Sequence, residues 1–236
     1  MDRETYFDRW APLHGGYDPR SSVLTKTWLS IAYHLAKPLA ALRVPPDVVT
    51  MMGALVSGLA VYLAWLGGRW VVAAAVVVAL SGIVDNLDGA VAVMTGRTTR
   101  WGFVLDSVVD RVSDGLYLVA LWVVGAPAWL CVLGGALMGL QEYARARAGN
   151  AGMTEIGVVT LWERPTRVIV TALFLLGAGI YLDAAAGWAT AGAAAWATLG
   201  AVGLSQLLVV VRRRLTGTTT DETRSGVADQ VGDDLG

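Results

Sequence analysis

The sequence predicts an all-α integral membrane protein, with six transmembrane helices preceded by an N-terminal interfacial amphipathic helix. Three observations predict it. Of the 236 residues 55% are hydrophobic and 16% charged, against roughly a quarter charged in an ordinary soluble domain. The charges are unevenly spread, since Gly115 to Gln141 carries none and Val168 to Val211 carries only Asp183. The apolar runs also match the ruler of a bilayer, whose core of about 30 Å needs about 20 helical residues.

The same composition excludes other classes. A net charge of −1 offers no basic surface for nucleic acid. One cysteine, Cys131, makes no internal disulfide, and two histidines, His14 and His34, exclude a histidine-rich metal site. Asp2, Arg3 and Glu4, followed by further polar residues, do not open a secretory leader.

Residues 1–43 are expected to form a cytoplasmic N-terminus. Within it Leu24, Trp28, Ile31, Leu35 and Leu39 recur at helical spacing opposite Lys26, Ser30, His34 and Lys37, the pattern of a helix lying in the membrane interface. Pro38 is expected to kink or end it. Pro45, Pro46 and Asp47 then start the six-span domain, 44–214, with an acid in the first turn. The spans are Val48 to Leu66, Trp70 through Asp85 and Asp88, Trp101 toward Val124, Ala126 through Gln141, Thr166 to Leu182, and Gly187 to Val211. Beyond Arg214, residues 215–236 read as a disordered cytoplasmic tail, with a net charge of −4 over Thr216 to Gly236.

Orientation follows from basic residues in short loops, which stay in the cytoplasm. Lys37, Arg43, Arg97, Arg100, Arg145, Arg147, Arg164, Arg167 and Arg212 to Arg214 share one set of span ends, against Arg69 alone on the other. Both termini are therefore expected inside, in a multi-pass protein of the cell membrane whose site faces the cytoplasm. Small residues in the last two spans suggest close helix packing and a homodimer face.

The chemistry lies in the acidic ends of the second and third spans. Asp85, Asp88, Gly89 and Ala92 fall within about 100° of helix circumference, and Gly102, Asp106 and Asp110 share a similar stripe. Carboxylates about 4 Å apart repel by about 4 kcal/mol at an effective dielectric near 20, so the cluster calls for a cation. Oxygen ligands without His or Cys favour Mg²⁺, Mn²⁺ or Ca²⁺ over zinc. Gly89 and Gly102 allow a bulky ligand near the backbone. Asp114, three residues from Arg111, reads instead as a structural ion pair.

The stretch DNLDGAVAVMTGRTTRWGFVLDSVVD resembles the signature of the CDP-alcohol phosphotransferases. Asp85, Asp88, Gly89, Ala92, Gly102, Asp106 and Asp110 match in register, while Val93 stands where that family has arginine. The resemblance implies transfer of a phosphate-linked group from a CDP-alcohol, usually CDP-diacylglycerol, to the hydroxyl of a polar alcohol, with release of CMP. It implies two divalent ions, Mg²⁺ or Mn²⁺, on Asp85, Asp88, Asp106 and Asp110, with Asp110 as general base. Asp88, Gly89, Ala92 and Gly102 would then meet the CDP group, and Arg97, one turn beyond Val93, would reach back to it. LDSVVDRVSDG, YARARAG and WERPTR look most like bacterial phosphatidylinositol-phosphate synthases.

Arg145, Arg164 and Arg167 meet at the same mouth across a short connection. Three forked guanidinium donors suit phosphate oxygens, so a phosphorylated acceptor is expected, and the resemblance of the ERPTR segment to the inositol-phosphate enzymes puts inositol phosphate ahead of glycerol 3-phosphate. Anchoring of anionic lipid headgroups is the other reading of these arginines. Two other readings stand beside the enzyme. A cation or proton-coupled transporter also carries intramembrane carboxylates, and Val93 suggests an inactive relative acting as a membrane scaffold.

Overall fold

Helices α1 (Arg3–Leu13), α2 (Val23–Ala41), α3 (Pro46–Leu66), α4 (Trp70–Thr95), α5 (Arg100–Val124), α6 (Ala128–Asn150), α7 (Arg164–Ile180) and α8 (Ala185–Asp233) make up the computed structural model. Short 3₁₀ turns at Pro19–Ser21 and Leu182–Ala184 precede α2 and α8, and no strand occurs among the described residues. Residues 1–13, 15–153 and 159–216 are described in full apart from the Leu24 side chain, and 217–233 by backbone alone. The tail expected to be disordered, 215–236, falls almost wholly outside the fully described residues.

The helix limits follow local chemistry. Pro46 sits in the first turn of α3, where its missing N–H costs no intrahelical bond, and Gly67 and Gly68 at positive φ close the turn into α4. Gly96, at φ +66°, ends α4, with its own N–H and that of Arg97 bonded back to Ala92. Thr99 then caps α5 by accepting the Gly102 N–H at 2.9 Å. These caps put the acidic end of α4 beside the start of α5. In α2 the helix runs through Pro38 to Ala41, so of the two outcomes expected at Pro38, a kink or an end, the end does not occur.

Three segments are long and apolar enough to cross a bilayer, namely Pro46–Leu66, Trp70–Thr95 and Leu182–Thr216. Helices α5 and α6 carry the charges of the site, and α7 has only 17 residues. Large apolar side chains point outward along the bundle, among them Leu55 and Trp65 on α3, Phe103 on α5 and Val132 on α6. Phe103, Val104, Val108 and Val112 line a groove of about 500 Å³ on α5. A contiguous apolar surface of this kind belongs against lipid or protein rather than water.

Inside, α3 packs on α4 and α5, α4 on α7, and α6 on α8. The main core includes Ala60, Ala74, Val78, Tyr117, Leu121, Leu175, Ala193 and Trp196. Glycines bring helices together: a methyl group on Gly179 would lie 2.5 Å from the Val72 backbone nitrogen, and one on Gly177 2.5 Å from the Trp188 ring. A second core joins the N-terminal layer to the bundle, with Tyr6, Phe7, Leu29, Ala32, Tyr33 and Ala36 against Val49, Leu87, Ala90, Val91 and Val93. Helix α2 buries Leu29, Ala32, Tyr33 and Ala36 and exposes Trp28, Ile31 and Leu35. Leu24, also expected on the exposed stripe, lies outside the described side chains.

Candidate active site

Helix α3 packs on both α4 and α5, whose acidic ends face each other, and α7 brings its first residue, Arg164, to them. One carboxylate oxygen from each of Asp85, Asp106 and Asp110 lies within 4.8 Å of the other two. Spacings of i, i+3 and i, i+4 place these groups on facing stripes. The fourth motif acid, Asp88, is 7% exposed and accepts a hydrogen bond from the Thr50 hydroxyl on α3 at 2.6 Å. It stands behind the trio, with one oxygen fixed by a neighbouring helix.

Arg164, the first residue of α7, closes the cluster. Its guanidinium lies 2.7 Å from Asp85 and also pairs with Asp110. The other Asp110 oxygen faces Arg111 at 3.4 Å. Asp106 makes no ion pair among the described residues. Four carboxylates thus face mainly one guanidinium, an excess of negative charge that a multivalent cation would relieve. Oxygens around an octahedral Mg²⁺ or Mn²⁺ lie about 3–4 Å apart, given bonds of about 2.0–2.1 Å, so the trio fits such an ion without large movement.

A second set of charges lies next to the first and is balanced. Arg167 and Asp114 meet at 2.6 Å, each side chain 0% exposed, and Arg167 also reaches Glu142 at 2.7 Å. Glu142 accepts from Arg111 at 2.8 Å, and the Arg111 to Asp114 contact expected from their spacing is 3.5 Å. Arg145 binds Glu163 at 2.7 Å. That same Glu163 oxygen accepts the Thr160 N–H and hydroxyl at 2.8 and 2.7 Å. Burial pushes the Glu163 carboxyl upward, but the Thr160 donors and Arg145 outweigh it and hold its pKa below the usual glutamate range.

The positions named from sequence therefore separate. Asp85, Asp106 and Asp110 converge, with Asp88 behind them. A methyl group on Gly89 would meet nothing within 4 Å, which leaves its backbone open to a ligand, whereas one on Gly102 would lie 3.1 Å from Thr99 Oγ1. Ala92 is half-buried and Arg97 exposed, with no ion pair to the carboxylates among the described residues. Val93 is buried in the N-terminal core, turned toward α1 and α2. Arg145, Arg164 and Arg167 do cluster, but Arg167 is sealed among Asp114, Glu142 and the Trp162 carbonyl. Sequence reasoning missed Thr50, Glu142 and Glu163, whose signal was only an isolated polar residue at a span end.

The model of the CDP-alcohol phosphatidyltransferase family matches residues 43–207. The chain belongs to this family. The matched region runs from the end of the N-terminal layer into α8 and includes every motif carboxylate. The family is one of enzymes, and the chain is an enzyme of that class, so the transporter reading gives way. The archaetidylinositol phosphate synthase of Pyrococcus horikoshii is 32% identical over 160 residues, 66% of this chain and 84% of that protein. The phosphatidylinositol phosphate synthase of Corynebacterium glutamicum is 34% identical over 172 residues, 66% of this chain and 75% of that protein.

Among solved structures, the phosphatidylinositol phosphate synthase of Mycobacterium tuberculosis with CDP-DAG bound is 29% identical, with a TM-score of 0.63 over 77% of this chain and 94% of that one. The same synthase in complex with manganese and citrate is 27% identical, with a TM-score of 0.65 over 76% and 88%. This phosphatidyltransferase is a membrane transferase of phospholipid biosynthesis whose acidic trio suits a divalent metal.

Proposed function

We propose that this chain transfers the phosphatidyl or related group of a CDP-alcohol, CDP-diacylglycerol foremost, to a hydroxyl of inositol phosphate, with glycerol 3-phosphate as the second choice. The observation that carries the reading is the convergence of Asp85, Asp106 and Asp110 beneath Arg164, at the ends of helices whose outer faces are apolar. The relatives' names differ in the lipid, archaetidyl or phosphatidyl, and share inositol phosphate, which supports the acceptor more than the tail.

Two divalent ions, Mg²⁺ or Mn²⁺, held by Asp85, Asp88, Asp106 and Asp110 would offset the diphosphate charge and stabilise the departing CMP. Gly89, Ala92 and Gly102 border the CDP group, with Arg97 and Asp88 beside it. Asp110 takes the proton of the acceptor hydroxyl. The hydroxyl oxygen bonds to the lipid-bearing phosphorus, the bridging P–O bond breaks, and its electron pair leaves with CMP. Arg145 and Arg164 receive the acceptor phosphate, and Arg167 steadies Arg145 through Glu142, which faces both.

In the same reading α3 to α8 cross the bilayer six times, α2 lies in the interface with Trp28, Ile31 and Leu35 toward lipid, and both termini and the site face the cytoplasm. Residues 44–214 form the catalytic unit, the tail follows it, and two copies pair as a homodimer. The test is CMP release by the purified full chain from CDP-diacylglycerol with Mn²⁺, comparing inositol phosphate, glycerol 3-phosphate and unphosphorylated inositol. Release with inositol phosphate alone supports the proposal. Equal use of inositol and its phosphate, with Arg164→Ala leaving acceptor KM unchanged, refutes the phosphate pocket.

A further inference from the structure

Asp110 has a cation against each of its oxygens. Arg164 pairs with Oδ1, and Arg111 approaches Oδ2 at 3.4 Å. Arg164 also holds Asp85 on the opposite helix at 2.7 Å. A divalent ion sharing Asp85 and Asp110 must therefore compete with a guanidinium, and Arg164 is the one that spans both ligands. Arg111 has Glu142 at 2.8 Å to retain it, and Arg167 is locked by Asp114 and Glu142. Among the described residues Arg164 forms no ion pair beyond the two carboxylates the ion would take. Its Nε is buried without a hydrogen-bond acceptor among them, a cost that an incoming anion could remove.

We infer that Arg164 is an exchangeable counter-ion: it clamps Asp85 to Asp110, is displaced from them by a divalent cation, and is thereby delivered to the anionic group of the acceptor. Metal and acceptor anion then bind with positive coupling, because each captures what the other releases. Arg164 is the first residue of α7, directly after the non-helical residues 159–163, so its side chain can swing without unwinding a helix. The inference rests on the metal and acceptor roles proposed above, and it adds an order and a linkage to them.

The experiment is calorimetric titration of Mn²⁺ into the full chain in detergent, without donor or acceptor, at zero and saturating sulfate, with ionic strength held constant by chloride. Sulfate is a tetrahedral dianion that suits a guanidinium fork and complexes Mn²⁺ only weakly. In the wild type, sulfate should tighten Mn²⁺ about tenfold. In Arg164→Gln, Mn²⁺ alone should bind at least about tenfold tighter than in the wild type, and the sulfate effect should vanish. Arg164→Lys, which keeps the charge without the fork, should bind Mn²⁺ near the wild-type level and lose most of the coupling. Equal sulfate coupling in all three proteins, or no tightening in Arg164→Gln, overturns the exchange while leaving the metal site intact. Failure of the folded wild type to bind Mn²⁺ overturns the exchange and the metal assignment together.

Discussion

Arg167 and Asp114 face each other at 2.6 Å with neither side chain exposed, joining α7 to α5 across 53 residues of sequence. Removing one member of a buried pair strands the other, at about 3–5 kcal/mol. Arg167→Met should lower the unfolding midpoint in detergent by that equivalent. Arg167→Met with Asp114→Leu should recover much of the loss, since an apolar replacement of both charges is often near neutral. A double variant no more stable than the single would show that Glu142 is the partner that matters.

Asp106 and Asp110 share the trio but should fail differently. Asp106→Asn removes one ligand charge and should raise the Mn²⁺ concentration for half-maximal CMP release about tenfold. Asp110→Asn removes the proposed base and should lower kcat by about 10²–10⁴, with CDP-diacylglycerol affinity within a few-fold. Equal loss of donor binding in both variants would make Asp110 chiefly a ligand.

Gly68 and Thr98 flank α4, whose 26 residues span about 39 Å at 1.5 Å each. Cysteines placed at these positions in a Cys131→Ala background should react with an impermeant maleimide from opposite faces of the membrane. Labelling from one face would refute the six-crossing arrangement.

Glu163 gives a pH dependence of known sign. Its carboxyl is held below the ordinary glutamate value, so its contribution to stability is complete above that ordinary value, about 4.3. It is lost as pH falls through the lowered folded value. The unfolding midpoint of Glu163→Gln should therefore fall less steeply than that of the wild type below about pH 4. Parallel acid limbs would remove Glu163 from the account.

Val93→Arg would restore the family's residue but place a guanidinium among Tyr6, Phe7, Leu29 and Tyr33. Burying an unpaired charge there should cost at least about 3 kcal/mol, with no gain in donor affinity. A stable variant with tighter donor binding would mean that the N-terminal layer moves aside to admit the side chain.

Much of this was readable from spacing and punctuation. The starts of α3 and α5 lie within two residues of those expected, because Pro46 marks the first chemically and the apolar run from Trp101 marks the second. The trio was readable because its members repeat at helical intervals on adjacent helices. Partners across helices were not: Thr50 for Asp88 and Arg167 for Asp114 depend on which faces meet, and one-dimensional periodicity does not encode that. For the same reason Arg167 looked available for a ligand, although packing encloses it. Helix α1 was unforeseen, since Tyr6 and Phe7 are too few to make an apolar stripe and are buried only after α2 and α4 supply the opposing surface.

The balanced charges around Glu142 and the excess acid around Asp85 also divide the molecule by its response to ionic strength. Mobile ions screen open charges over about 10 Å at 0.1 M salt, and screen sealed pairs much less. Rising salt should therefore weaken capture of divalent cations at the acidic mouth long before it loosens the junction of α5, α6 and α7. An assay buffer of high ionic strength would report a poorly binding enzyme that is nevertheless fully folded.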